Sequence, residues 1–158
     1  MSRLIGNALT KELVERLSGG RVAVFEGKII PIFTLDEKGW PHPALLSYYE
    51  IVARNDTTLN VALWKDSSTA KNLRTSAKIT MMITDRDLNY YLKGTVRELQ
   101  YEMTDAPQVS RFRVTVDEVL EDQEPNAQIT GGLTYTRQRS RGAEDFATKV
   151  VGILREEP

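Results

Sequence analysis

The chain has 158 residues, of which 41% are hydrophobic and 27% charged, and its formal net charge is −1. That length and balance suit one globular domain with an ordinary core, and the near-zero charge gives no bulk attraction for nucleic acid or an anionic membrane. Cysteine is absent and His42 is the only histidine, which excludes disulfides, thiol chemistry, a multi-histidine metal site and any Ser-His-Asp triad that does not use His42.

The opening residues, MSRLIGNALTKELVERL, contain no signal-peptide core. No segment approaches the roughly 20 apolar residues of a membrane span, so the expected location is the cytoplasm. Thr10 to Leu17 predicts a short helix: Thr10 can cap it, Leu9, Leu13 and Leu17 share a face, and Gly19-Gly20 stop it. Arg21 to Glu26 and Lys28 to Leu35 predict two strands, followed by the turn DEKGWP. His42 to Arg54 is rich in aromatic and β-branched residues and predicts one long strand. Asn55-Asp56 then signals a hairpin, and Thr57 to Trp64 alternates with Leu59, Val61 and Leu63 on one face.

KDSSTAKNLRTS predicts a loop running into a short helix. Lys78 to Thr84 and Asn89 to Leu99 predict a strand pair around DRDLN, and Val109 to Leu120 predicts another strand. Ala143 to Leu154 predicts an amphipathic helix with Phe146, Val150, Ile153 and Leu154 on its apolar face. The loop signals are all short, so the whole chain, 1–158, reads as one domain. Many short strands joined by tight turns, without alternating βαβ units, predict a closed or nearly closed antiparallel barrel.

The chemically informative segment is ALWKDSSTAKNL, Ala62 to Leu73. Ser67, Ser68 and Thr69 precede a helical run, where free backbone N–H groups and the helix dipole favour an anion. Lys71 adds a charge one turn in, and Asn72 an amide. Two readings stay open from these residues alone: a phosphate cradle, or a serine cap beside a solvated lysine.

The order of GWPHP, a long strand, a hairpin, a strand ending in LW, SSTAKNL and the strand KITMMI resembles the pyridoxamine 5′-phosphate oxidase-like, FMN-binding split-barrel flavoproteins. The resemblance spans roughly Leu9 to Leu120. It implies a mainly β fold, a split antiparallel β-barrel with a few peripheral helices. It further implies FMN as cofactor, with its phosphate held by Ser67, Ser68, Thr69, Lys71 and Asn72. Leu45, Leu46 and Ser47 would line the isoalloxazine and ribityl chain, and Ala62, Leu63 and Trp64 would flank the same pocket. A homodimer with flavin at the subunit interface and a small-molecule substrate are implied as well. Nucleic acid and membrane are not expected partners.

Two features depart from that family. Ser68-Thr69 stands where the oxidases carry Arg-Lys, so phosphate neutralisation falls on Lys71, helped by Lys65, Arg74 or a basic residue of a partner subunit. Tryptophan occurs only at 40 and 64, so the C-terminal Trp- and Arg-containing segment that binds pyridoxal phosphate is absent and vitamin B6 oxidation is not expected. His42 reads as a turn histidine bonded to backbone or as the sole imidazole for a haem-binding relative. Arg137, Arg139 and Arg141 read as a phosphate-reaching cluster or a solvated loop. Tyr48-Tyr49 and Tyr90-Tyr91 each place one ring inward and one outward. The favoured function is an FMN-dependent oxidoreductase. A non-catalytic flavin-storage protein and haem- or deazaflavin-binding relatives are the alternatives.

Overall fold

The structure is a computed structural model that describes residues 1–138 and 140–158, with Arg141 described by its backbone alone. Among the described residues, eight strands and three α-helices follow in the order β1 (Ser2–Gly6), α1 (Lys11–Arg16), β2 (Ile29–Leu35), β3 (Pro41–Ser47), β4 (Ile51–Ala53), β5 (Thr58–Trp64), α2 (Ser68–Ser76), β6 (Lys78–Asp85), β7 (Leu88–Gln100), β8 (Val109–Asp122) and α3 (Arg141–Leu154). The strands form one sheet in the order β3-β2-β6-β7-β8-β5-β4, with β1 paired to β8 off that path. Every pairing is antiparallel.

Chain connectivity dictates the sheet's curvature. β3 and β4 are its two edges, yet only Tyr48, Tyr49 and Glu50 separate them. So short a link spans less than about 15 Å, and the sheet must curl until its edges nearly meet. The result is a barrel with a split between β3 and the β4–β5 hairpin, the architecture expected from the sequence. β7 and β8 are long enough to wrap the barrel, and their register shifts at Lys93/Gly94 and Glu98/Gln100. Bulges of this kind bend a strand. At the first of them a Cβ on Gly94 would lie 2.4 Å from Val114 Cγ1 and 2.7 Å from the Thr115 carbonyl oxygen, so the position excludes any side chain.

Period-two alternation fills the interior with Ile30, Ile32, Leu59, Val61, Leu63, Met81, Ile83, Phe112 and Val114. Leu9, Leu13 and Leu17 of the first helical segment pack into the same core, as do Ala70 and Leu73 of α2. A second apolar cluster lies outside the barrel. There Val150, Val151 and Leu154 of α3 cover Val52, Ala62 and Val109.

Two expectations are corrected, and one strand is added. The strand predicted over Arg21 to Glu26 is a 3₁₀ helix over Val22–Phe25. Positive-φ glycines flank it at Gly19 and Gly27, its backbone bonds close locally (Val24 N–H to Arg21 O, 3.0 Å), and Val24 is 58% exposed. The single strand predicted over His42 to Arg54 is two, because the chain turns at Ser47–Glu50: the Glu50 N–H donates to the Ser47 carbonyl at 3.1 Å. The Ser47 N–H and hydroxyl donate back to the Glu50 carboxylate at 2.6 and 2.9 Å. Strand β1 was not predicted at all. Its residues are mostly exposed, so no hydrophobic pattern marks it, and it is held by its ladder to β8. No described helix is long and apolar enough to cross a membrane.

Candidate functional site

A cavity of about 420 Å³ opens where α3 lies over the split. Two strand ends form its floor: Leu45, Leu46 and Ser47 of β3, and Ala62, Leu63 and Trp64 of β5. Side-chain alternation divides each trio between faces. Leu46 and Leu63 point into the barrel core, whereas Leu45 and Trp64 stay 59% and 57% exposed on the rim. Phe146, Ala147 and Val150 of α3 form the roof. Phe146 stacks on Trp64, ring centroids 5.8 Å apart and planes 12° from parallel.

The polar groups of the cavity converge at one end. Glu50 lies there, its carboxylate taking both donors of Ser47. Burial pushes the Glu50 carboxyl above its ordinary pKa, against the opposing effect of the Ser47 hydrogen bonds and the more distant Arg137 charge. Arg137 enters from the segment between β8 and α3. Its guanidinium sits 4.7 Å from the Tyr49 ring centroid, donates to the Tyr135 hydroxyl at 2.9 Å, and pairs with Glu26 at 3.5 Å. The aromatic faces and Glu26 together fix this guanidinium at the cavity wall.

The other sequence candidates lie just beyond this floor. Ser67 follows Trp64 through a turn, its N–H donating to the Trp64 carbonyl at 3.0 Å, and it caps α2 by accepting from Ala70 N–H at 3.1 Å. The cap leaves the N–H groups of Ser68 and Thr69 without a protein acceptor among the described residues. Ser68 and Lys71 are exposed, whereas Thr69 and Asn72 are buried. The Asn72 amide donates to the Thr34 hydroxyl at 3.0 Å, so its side chain ties α2 to β2. The two helper cations are engaged elsewhere: Lys65 pairs with Glu102 at 2.6 Å and Arg74 with Glu98 at 2.7 Å. Lys71 forms no ion pair among the described residues.

His42 lies in β3 opposite Thr34 and does not line the cavity. Tyr48 and Tyr90 are buried, and Tyr49 and Tyr91 half-buried. Of the three-arginine cluster, Arg137 reaches the cavity, while Arg139 and the Arg141 side chain lie outside the described residues. Sequence reasoning did not single out Glu50, Tyr49, Tyr135 or Phe146 as cavity residues. Glu50 had a signal, a lone acid inside the apolar run LLSYYEIVA. Tyr135 and Phe146 had none, since their place depends on how the chain returns over the split.

A curled antiparallel sheet with a largely apolar cavity at its split defines the class of fold. The chain has the split-barrel fold of the pyridoxamine 5′-phosphate oxidase-like and FMN-binding proteins. By structure it is similar to a candidate pyridoxamine 5′-phosphate oxidase of Lactobacillus delbrueckii. The TM-score is 0.60 at 16% identity, over 75% of this chain and 98% of that one. It is also similar to an FMN-binding protein of Syntrophomonas wolfei, with TM-score 0.54 and 16% identity over 72% of this chain and 88% of the other. By sequence it is 28% identical over 133 residues to the uncharacterized protein YclD of Bacillus subtilis, covering 80% of this chain and 82% of that protein. No family model matches the chain.

Proposed function

We propose that this protein is an FMN-binding flavoprotein that acts as an oxidoreductase on a small molecule. The observation that carries the reading is the cavity itself. Its volume of about 420 Å³ falls in the range of about 300–1,000 Å³ usual for small-molecule sites. Its walls are apolar except at the end held by Ser47, Glu50 and Arg137, which suits a flat heteroaromatic ring with polar edges. The start of α2 offers the free N–H groups of Ser68 and Thr69 and the charge of Lys71 to a phosphate. FMN combines those two chemistries in one molecule.

When bound, the flavin supplies hydride or electron transfer. The chain's own residues hold and shield it. Leu45 and Ser47, with the Leu46 backbone, would support one side of the ring, and Ala62 and Trp64, with the Leu63 backbone, the other. Phe146 and Val150 exclude water from above. Ser67 fixes the first turn of α2 so that its donors face outward. The exposed Leu45 and Trp64 on the rim support a homodimer in which a second subunit covers the flavin edge.

Titration of the apo-protein with FMN and with riboflavin, followed by flavin fluorescence, tests the reading. FMN binds more tightly if α2 holds the phosphate. Equal affinities remove the cradle, and no binding of either removes the flavin. Sedimentation with and without FMN tests the assembly, a flavin-binding monomer being the result that rejects a shared site.

A further inference from the structure

The described residues contain four buried side-chain nitrogen or oxygen atoms without a hydrogen-bond partner: Arg54 Nε, Arg111 Nε, Arg113 Nη2 and Gln100 Oε1. All four fall in one place. Arg111 and Arg113 stand on β8, Gln100 lies opposite Arg111 in the β7–β8 register, and Arg54 follows β4. Nature rarely leaves such groups unpaired, because each buried donor without an acceptor costs about 1–3 kcal/mol.

The charges are as unbalanced as the hydrogen bonds. Three guanidinium groups converge, and Arg111 is only 1% exposed. Among the described residues, the carboxylate that pairs with two of them is Glu157, at 2.9 Å from Arg54 and 3.8 Å from Arg113. Arg111 donates to the Glu156 main-chain carbonyl, and Arg113 donates to the Asn60 amide oxygen at 3.2 Å. Glu157 is itself 72% exposed. It behaves as an acceptor lent by the tail to a site that demands more. None of these arginines lines the cavity under α3.

We propose that Arg54, Arg111 and Arg113 form a binding site for a small phosphate-bearing anion, which the Glu157 carboxylate closes in the free protein. Guanidinium forks match the oxygens of a phosphate. A phosphate carries about two charges and three strong acceptor oxygens, against the single charge of Glu157. Its oxygens can satisfy the Nε and Nη donors that the tail leaves unpaired. Binding releases residues 156–158 from the arginines, so the tail competes with the ligand.

Calorimetric titration of the full chain with sodium diphosphate at low ionic strength tests this. Glu157→Gln removes the competing charge at an exposed position and binds diphosphate about 10-fold more tightly than the parent, the equivalent of one lost charge-assisted contact. Adding Arg113→Gln or Arg54→Gln to Glu157→Gln weakens binding at least about 10-fold, and circular dichroism verifies the fold of each. All titrations are made in a Lys71→Ala background, so that the proposed α2 cradle contributes little to the heat. Two results overturn the proposal: no heat from Glu157→Gln at millimolar diphosphate, or binding that survives both arginine substitutions, which places the anion elsewhere.

Discussion

Two carboxylates near the barrel's ends meet opposite fates. Asp85, at the end of β6, accepts from Arg16 and Lys28 and from the Arg86 backbone N–H. Among the described residues, Glu50, in the turn after β3, has the two donors of Ser47 and a more distant Arg137. Burial opposes ionisation of both. At Asp85 the hydrogen bonds from Lys28, Arg86 and Arg16 win, and its pKa falls to about 2. At Glu50 burial wins, and its pKa rises. The difference separates a part of the molecule built for stability from a part left electrostatically unsettled. Only the second lies in the cavity, and an acid with a raised pKa in a cavity is a candidate for chemistry.

The Asp85 side breaks hardest. Asp85→Asn strands Arg16, whose side chain is otherwise bonded to the Tyr48 hydroxyl at 2.8 Å, and Lys28. Removing the carboxylate charge from this half-buried, hydrogen-bonded cluster costs about 1.5–3 kcal/mol. A lower urea midpoint with an unchanged slope is the expected result. The sign of the pH dependence is fixed by the lowered pKa. The stabilisation from Asp85 is complete above its ordinary 3.8 and is lost as pH falls toward about 2. Asp85→Asn therefore flattens the acid limb of the stability curve. A variant that keeps that limb would show that another carboxylate carries it.

On the cavity side, a substitution should alter binding rather than stability. Lys71 is exposed and unpaired among the described residues. Lys71→Ala should weaken FMN about 10- to 100-fold, the value of a charge-assisted phosphate contact of roughly 1.5–3 kcal/mol. Riboflavin, lacking the phosphate, should lose nothing, and the thermal midpoint should hold. A parallel loss for both ligands would move Lys71 out of the cradle and into general support of the site.

How far the two regions could be read from sequence follows the range of the interactions. The β5–turn–α2 unit was legible because everything that makes it is local: alternation up to Trp64, the Ser67 cap, and the apolar pair Ala70 and Leu73 facing the core. The β6–β7 hairpin was legible for the same reason. The 3₁₀ turn at Val22–Phe25 was not, since its valines look like a strand unless one knows that no neighbouring strand is there to pair with them. The cavity was half legible. Its floor comes from two motifs, but its roof comes from a helix that begins more than seventy residues after the end of β5. The Asp85 pairings join residues 69 and 57 positions apart, and no local pattern encodes such contacts. Glu50 was hidden by a wrong strand. Within one continuous strand from His42 to Arg54 it would be merely a polar position, whereas the turn folds its carboxylate back on Ser47.

Glu50 gives the smallest effect and the sharpest discrimination. A group whose pKa is raised on folding contributes stability that is complete below its ordinary pKa, here 4.5, and lost as pH rises through the folded value. Its ionised form is thus a liability near neutrality. Glu50→Gln keeps an oxygen to accept from the Ser47 N–H and hydroxyl while removing the titratable charge. It should stabilise the protein on the order of 1 kcal/mol above the folded pKa and do nothing below pH 4.5. Glu50→Ala removes the acceptor too, leaving the Ser47 N–H unpaired, and should cost about 1 kcal/mol even in acid. Urea unfolding of the three proteins between pH 4 and 8 distinguishes the terms. Equal behaviour of the Gln and Ala variants would mean that the Ser47 bonds do not hold the turn, and the contrast with Asp85 would then rest on burial alone.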